Sequence, residues 1–207
     1  MHTRRTIMCL ILAGSFSLMM GCFPEDNKHT HHNHESMKHD HVSLNGDSIY
    51  HLDSTWTNRT GEVIKLKKLG GKVQVLAMVY SSCEYVCPRI VADMKKLESK
   101  LGGHSSYINF VLASFDPDRD KPKVLQEYSK KKGISKSNWY FISAPDESVL
   151  ELAAVLGVKF KKLPDGEFSH SNVISTIDQN GVVKYQQVGL NQDPENSLNH
   201  IKKLLNQ

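Results

Sequence analysis

Residues 73–80 (Val-Gln-Val-Leu-Ala-Met-Val-Tyr) form a nearly unbroken apolar run that leads, through two serines, into Cys83-Glu-Tyr-Val-Cys87-Pro88. A run of this kind fits a strand buried on both faces of a sheet. Past the cysteines, Ile90, Met94, Leu97 and Leu101 recur at helical spacing, and Gly102-Gly103 ends the pattern. The cysteine pair is therefore expected where a buried strand gives way to a helix. The unpaired N–H groups of a helix start, and the positive end of its dipole, favour the thiolate form. If both cysteines sit on the first turn, their spacing places them on one face. Pro88 suits that turn, where a missing N–H costs little.

The rest of the chain alternates in the same way. Residues 48–52 and 62–66 read as short strands flanking the turn-like Asn58-Arg-Thr-Gly61. Residues 107–115 read as a second buried strand, 121–132 as a helix, 139–143 as a strand and 146–156 as a helix stopped by Gly157. Residues 172–178 and 182–188 read as a hairpin around an Asn-Gly turn, and 194–205 as a closing amphipathic helix. This order predicts an α/β sandwich, a mixed central sheet flanked by helices, as in the thioredoxin-like fold.

The N-terminus reads as an export signal. Arg4 and Arg5 precede an uncharged, largely apolar stretch of 14 residues, 7–20, too short to span a bilayer core about 30 Å thick. The stretch runs into Gly21-Cys22, similar to a bacterial lipobox, so residues 1–21 are expected to be a lipoprotein-type signal and Cys22 the lipidated residue. That predicts a membrane-anchored domain outside the cytoplasmic membrane. Residues 22–44 are polar and hold His29, His31, His32, His34, His39 and His41, with too little apolar content to pack a core. They read as a flexible linker, and the domain as residues 45–207. The formal charge of +4, from 26 basic and 22 acidic residues, includes no basic run of the kind that binds nucleic acid.

With Cys9 in the signal and Cys22 lipidated, only Cys83 and Cys87 of the four cysteines remain for the folded domain. One close pair does not make a disulfide-stapled scaffold. Two soft thiolates select soft ions such as Cu(I), which often takes a third donor. His170 is the candidate, because its polar loop precedes the strand beginning at Val173 and would face the cysteine helix in a thioredoxin-like fold. His51, His104 and His200 read as ordinary surface or core histidines. Three residues separate the cysteines where thioredoxin-type oxidoreductases have two, and Asn172 rather than proline precedes Val173. A thiol-disulfide reductase therefore stays open as the second reading, with a plain structural disulfide as the bland one. A metal buffer or sensor working through the linker histidines is the third.

Taken together, the stretch from Val79-Tyr-Ser-Ser-Cys83 to Cys87-Pro88, the turn Asp116-Pro-Asp-Arg-Asp-Lys-Pro122, and His170 followed by a strand and Asp178-x-x-Gly181 resemble the Sco/SenC family of copper-binding thioredoxin-like proteins. The resemblance spans about residues 45–206. It implies copper as cargo, as Cu(I) with Cu(II) also open, on Cys83, Cys87 and His170. It also implies a chaperone role toward the dinuclear copper centre of cytochrome c oxidase, with an oxidase subunit or another copper chaperone as partner. Glu84 and Tyr85 stand where the family often has Pro and Asp, and Ser169 stands where an acidic residue often precedes the histidine. The 116–122 turn is expected to make a turn and start a helix, with Asp116 and Asp120 as the residues that would shape the site or dock a partner.

Overall fold

In the computed structural model, residues 48–206 are described. The expected signal segment, Cys22 and the linker histidines His29, His31, His32, His34, His39 and His41 lie outside the described residues.

Strands β1 (Thr55–Asn58) and β2 (Val63–Lys65) form a hairpin in which the side-chain oxygen of Asn58 accepts from the N–H groups of Thr60 and Glu62. Strand β3 (Val73–Val79) is buried along its whole length and leads to helix α1 (Val86–Leu101). Strand β4 (Ile108–Ser114), helix α2 (Pro122–Lys131), strand β5 (Trp139–Ser143) and helix α3 (Asp146–Val155) follow. A small hairpin, β6 (Phe160–Lys162) and β7 (Phe168–His170), precedes β8 (Val173–Ile177), β9 (Val183–Val188) and helix α4 (Glu195–Leu205).

The main sheet has seven strands in the order β2-β1-β5-β4-β3-β8-β9. β3, β4 and β5 run parallel through the crossover helices α1 and α2, and β8 lies antiparallel on β3. This is the expected α/β mixed sheet flanked by helices, with the thioredoxin-like strand and helix order. The apolar stripe of α1, Ile90, Met94, Leu97 and Leu101, is buried as its spacing predicts. Across the sheet, Phe110 and Trp139 stack with ring centres 4.8 Å apart, and each fully buried aromatic removes large apolar area from water. Among the described residues no helix is long and apolar enough to cross a membrane.

Three local expectations are corrected. Residues 48–52 are not a strand. The Ser48 side chain accepts from the Tyr50 N–H and starts a short 3-10 helix, Ile49–His51, while the strand before the turn is β1, which buries Trp56. The cysteines do not share the first helical turn, because α1 begins at Val86 and Cys83 lies in the loop before it. The polar stretch before Val173 is not plain loop, since it folds back as the β6–β7 hairpin, set apart from the main sheet.

The β8–β9 turn is as its sequence suggests. Asp178 Oδ1 accepts from the N–H groups of Asn180 and Val182, and Gly181 takes a left-handed φ of 84°. A Cβ at Gly181 would overlap Ser48 Oγ and the Tyr50 ring. Gly181→Ala is therefore expected to destabilise the domain by at least about 1–2 kcal/mol, the cost of the left-handed conformation alone. Urea unfolding should show a lower midpoint with an unchanged slope. A midpoint equal to the parent's would contradict this account of the turn.

Candidate metal centre

The site lies at the carboxyl ends of β3 and β4, the place where parallel sheets open a crevice. From the end of β3 the chain turns through Tyr80, Ser81 and Ser82 to Cys83. This loop is tied down by Asp120, whose carboxylate accepts from the Ser81 N–H (3.0 Å), from the Ser81 hydroxyl and from Ser114 Oγ. Asp120 is fully buried, and that burial pushes its carboxyl above the usual range even with these donors around it.

The two sulfurs sit in different surroundings. Cys83 Sγ accepts the backbone N–H of Cys87 at 3.3 Å, serving the α1 terminus that Tyr85 leaves without a side-chain cap. Burial works against ionisation at Cys83. The N–H groups of Cys87 and Tyr85, together with the Cys87 and Tyr80 side chains, outweigh it and hold the thiol below its ordinary value. Cys87 has no exposed surface, and burial drives its thiol well above the ordinary value, with the charge of Cys83 adding to the rise.

His170 ends β7 and is half-buried. Its Nδ1 lies 3.1 Å from the Ser171 carbonyl oxygen. A carbonyl only accepts, so this contact places the ring proton on Nδ1 and leaves the lone pair on Nε2. Nε2 lies 3.9 Å from Cys87 Sγ. Orientation of an imidazole through its far nitrogen is what an acidic neighbour would supply, and here, with Ser169 preceding the histidine, the Ser171 carbonyl supplies it. Burial lowers the His170 pKa from its ordinary value, which keeps the ring neutral and able to donate its lone pair.

The ligand atoms of Cys83, Cys87 and His170 all lie within 4.8 Å of one another, the only such group of three among the described residues. Donors each about 2.0–2.3 Å from a shared ion stand somewhat closer together than that, so sub-ångström shifts would close the triangle. Cys83 and His170 border a cavity of about 590 Å³ with Tyr80, Phe168 and Tyr85, Cys87 lies buried behind them, and Tyr85 stands 76% exposed on the rim. Of the other histidines singled out in the sequence, His200 stacks on Tyr185 at 4.3 Å, and neither His51, His104 nor His200 joins the cluster.

Tyr80, Phe115 and Phe168 went unnoticed in the sequence. Phe115 packs against both other rings at 5.1–5.2 Å and against the His170 imidazole at 5.0 Å. The Tyr80 hydroxyl donates to Glu167 at 2.7 Å, tying the end of β3 to the histidine hairpin. The only available signal was that Tyr80 and Phe115 each follow a buried strand directly. Asp116 lies behind this wall, buried and paired with Arg119.

The chain is similar to the SCO1 protein homolog of Bacillus subtilis, at 32% identity over 114 residues, 55% of this chain and 59% of that protein. The chain therefore spans less than two thirds of that relative's length. It is also similar in structure to a SCO1/SenC family lipoprotein from Bacillus anthracis, at 30% identity and a TM-score of 0.68, over 73% of this chain and 92% of that one. It shares its fold with Bradyrhizobium japonicum ScoI, solved with copper bound, at 22% identity and a TM-score of 0.63, over 73% and 96% of the two chains. The SCO1/SenC family profile matches residues 45–206, and this chain belongs to the SCO1/SenC family.

Proposed function

We propose that this protein is a copper(I) carrier whose ligands are Cys83, Cys87 and His170, and that it delivers copper during assembly of the dinuclear copper centre of cytochrome c oxidase. The observation that carries the reading is the donor triangle, two sulfurs and an imidazole nitrogen within 4.8 Å, with the nitrogen lone pair free. Two thiolates and one imidazole form a soft donor set that suits Cu(I) and leaves a hard ion such as Mg²⁺ poorly served. Copper here is cargo. It enters through the open cavity, and ligand exchange with a partner's donors removes it. Oxidation of the two thiolates to a disulfide, with two electrons passing to an oxidant and the copper ion released, would empty the carrier. Family membership and the chemistry of the cargo support the oxidase as client. Lipidation at Cys22 would hold the domain at the outer face of the membrane, and the linker histidines would gather metal for it.

A second reading, a thiol-disulfide reductase, has one observation in its favour. Cys83 borders the cavity with a lowered thiol pKa, and Cys87 lies buried behind it, the arrangement of an attacking and a resolving cysteine. The carrier reading is preferred because it also uses His170, for which a reductase has no need.

His170→Ala is expected to lower Cu(I) affinity, measured by competition with a chromophoric chelator, by at least the roughly ten- to hundredfold that loss of an outer-shell partner costs. Unchanged affinity would remove His170 from the site. In the same variant, insulin reduction should stay slow, and brisk turnover would favour the reductase. Binding should also depend on pH. Because burial raises Cys87, that thiol is protonated at neutral pH and must lose its proton to bind metal. Apparent Cu(I) affinity should thus climb at least about tenfold per pH unit between pH 6 and 8, and a flat profile would show that Cys87 does not ligate as a thiolate.

A further inference from the structure

Two adjacent residues of the turn between β4 and α2 grip the two arms of the site separately. Asp120 holds the cysteine arm through Ser81. Arg119 reaches the opposite way. Its Nε donates to the buried Asp116 carboxylate, its Nη2 donates to the Gly166 carbonyl at 2.7 Å, and its Nη1 lies 3.8 Å from Glu167 Oε1. Its guanidinium carbon sits 5.6 Å from the Tyr80 ring centre and 5.8 Å from that of Phe168. Gly166, with a left-handed φ of 83°, belongs to the tip of the β6–β7 hairpin, four residues before His170.

We infer that Arg119 is a positioning residue of the metal site, which clasps the His170 hairpin to the body of the domain and so sets the distance between the imidazole and the sulfurs. The inference rests on the copper(I) reading of that site. The hairpin needs such a clasp. It has three residues per strand and does not pair with the main sheet, and a lone ribbon of that size is not stable by itself. Its placement comes from the packing of Phe160 and Phe168 on Phe115, from the Tyr80–Glu167 bond and from Arg119. Of these, only Arg119 joins the hairpin tip to a buried charge. Asp116 is 1% exposed and depends on its partner, so the anchor end of the clasp is fixed. The planar fork of a guanidinium lets one side chain bond Asp116 and Gly166 at once while lying on two aromatic rings, which the point charge of lysine cannot do. Loosening the clasp should leave the sulfur pair in place, held by Asp120, and release the imidazole alone.

The test uses the full chain, reduced, in four forms: parent, Arg119→Ala, Arg119→Lys and His170→Ala. Without metal, Arg119→Ala should speed amide hydrogen exchange in the hairpin, at Leu163, Gly166 and Ser171, while β8 exchanges at the parent rate. With Cu(I), its affinity should fall roughly ten- to hundredfold, the range for outer-shell partners, and X-ray absorption should show a weakened nitrogen contribution with the sulfur signal kept. Arg119→Lys should recover thermal stability by pairing with Asp116, but not the affinity. Adding Arg119→Ala to His170→Ala should lower affinity no further. Arg119→Ala with Asp116→Asn leaves no unpaired buried carboxylate and replaces the single variant if that one unfolds. Parent-like exchange in the hairpin, or an equal loss of affinity with and without His170, would overturn the inference. Weak copper binding by the parent itself would defeat the copper reading, and hairpin exchange would still decide whether the clasp exists.

Discussion

The antiparallel pairing of β8 with β3 places a donor from late in the chain beside two from early in it. β3 delivers the cysteine loop at its carboxyl end, and the register that sets Ala77 opposite Ile174 brings the amino end of β8 to that same edge. His170 stands three residues before β8 begins. Had β8 run parallel to β3, its start would lie at the far edge of the sheet, roughly 20 Å away for a seven-residue strand. Every distance in the donor triangle depends on this choice of direction, and the direction in turn depends on burial. β3 and β8 are buried on both faces, and their backbone groups find partners only in each other and in the neighbouring strands.

Within that frame the site is asymmetric by construction. Cys83 stays in the loop, where two backbone N–H groups stabilise its thiolate, while Cys87 enters the helix and loses its contact with water. One sulfur is thereby easy to ionise and the other hard. A soft cation that neutralises the second thiolate relieves the charge repulsion that its neighbour imposes, which is a physical reason for two such cysteines to share a metal. The aromatic wall of Tyr80, Phe115 and Phe168 serves the same end by limiting water around the imidazole and lowering its affinity for a proton.

The turn from Asp116 to Pro122 shows how a short segment does two kinds of work. It starts α2, with Pro122 as the first residue of the helix, in line with the expectation for Asp and Pro in such a place. Two of its acidic residues, Asp116 and Asp120, also turn inward. Asp120 receives the donors of the cysteine loop, and Asp116 receives Arg119. In sequence this segment reads as a turn and helix start whose Asp116 and Asp120 would shape the site or dock a partner; a carboxylate leaves water only when partners compensate it, and partners such as Ser81 and Ser114 become visible only in three dimensions.

The amino-acid sequence by itself determined the α/β class, most of the strands and helices of the main sheet, the Asn-Gly hairpin and the identity of the three candidate donors. The elements and the cysteine pair are written in periodicity, turn chemistry and residue type, which are local properties of the chain, while His170 is marked by its place before the Val173 strand of the expected fold and by the family resemblance. Tertiary structure alone decided the rest. Residues 48–52 gave up an extended form for a 3-10 turn capped by Ser48, β1 formed around Trp56, and the stretch carrying His170 folded into a hairpin. It also decided that the His170 lone pair sits on Nε2, through the Ser171 carbonyl, and that Arg119 reaches Gly166. Such features have no periodicity to announce them. They depend on burial that exists only once the sheet has closed, and some, such as the bond from Arg119 to Gly166, join residues 47 positions apart.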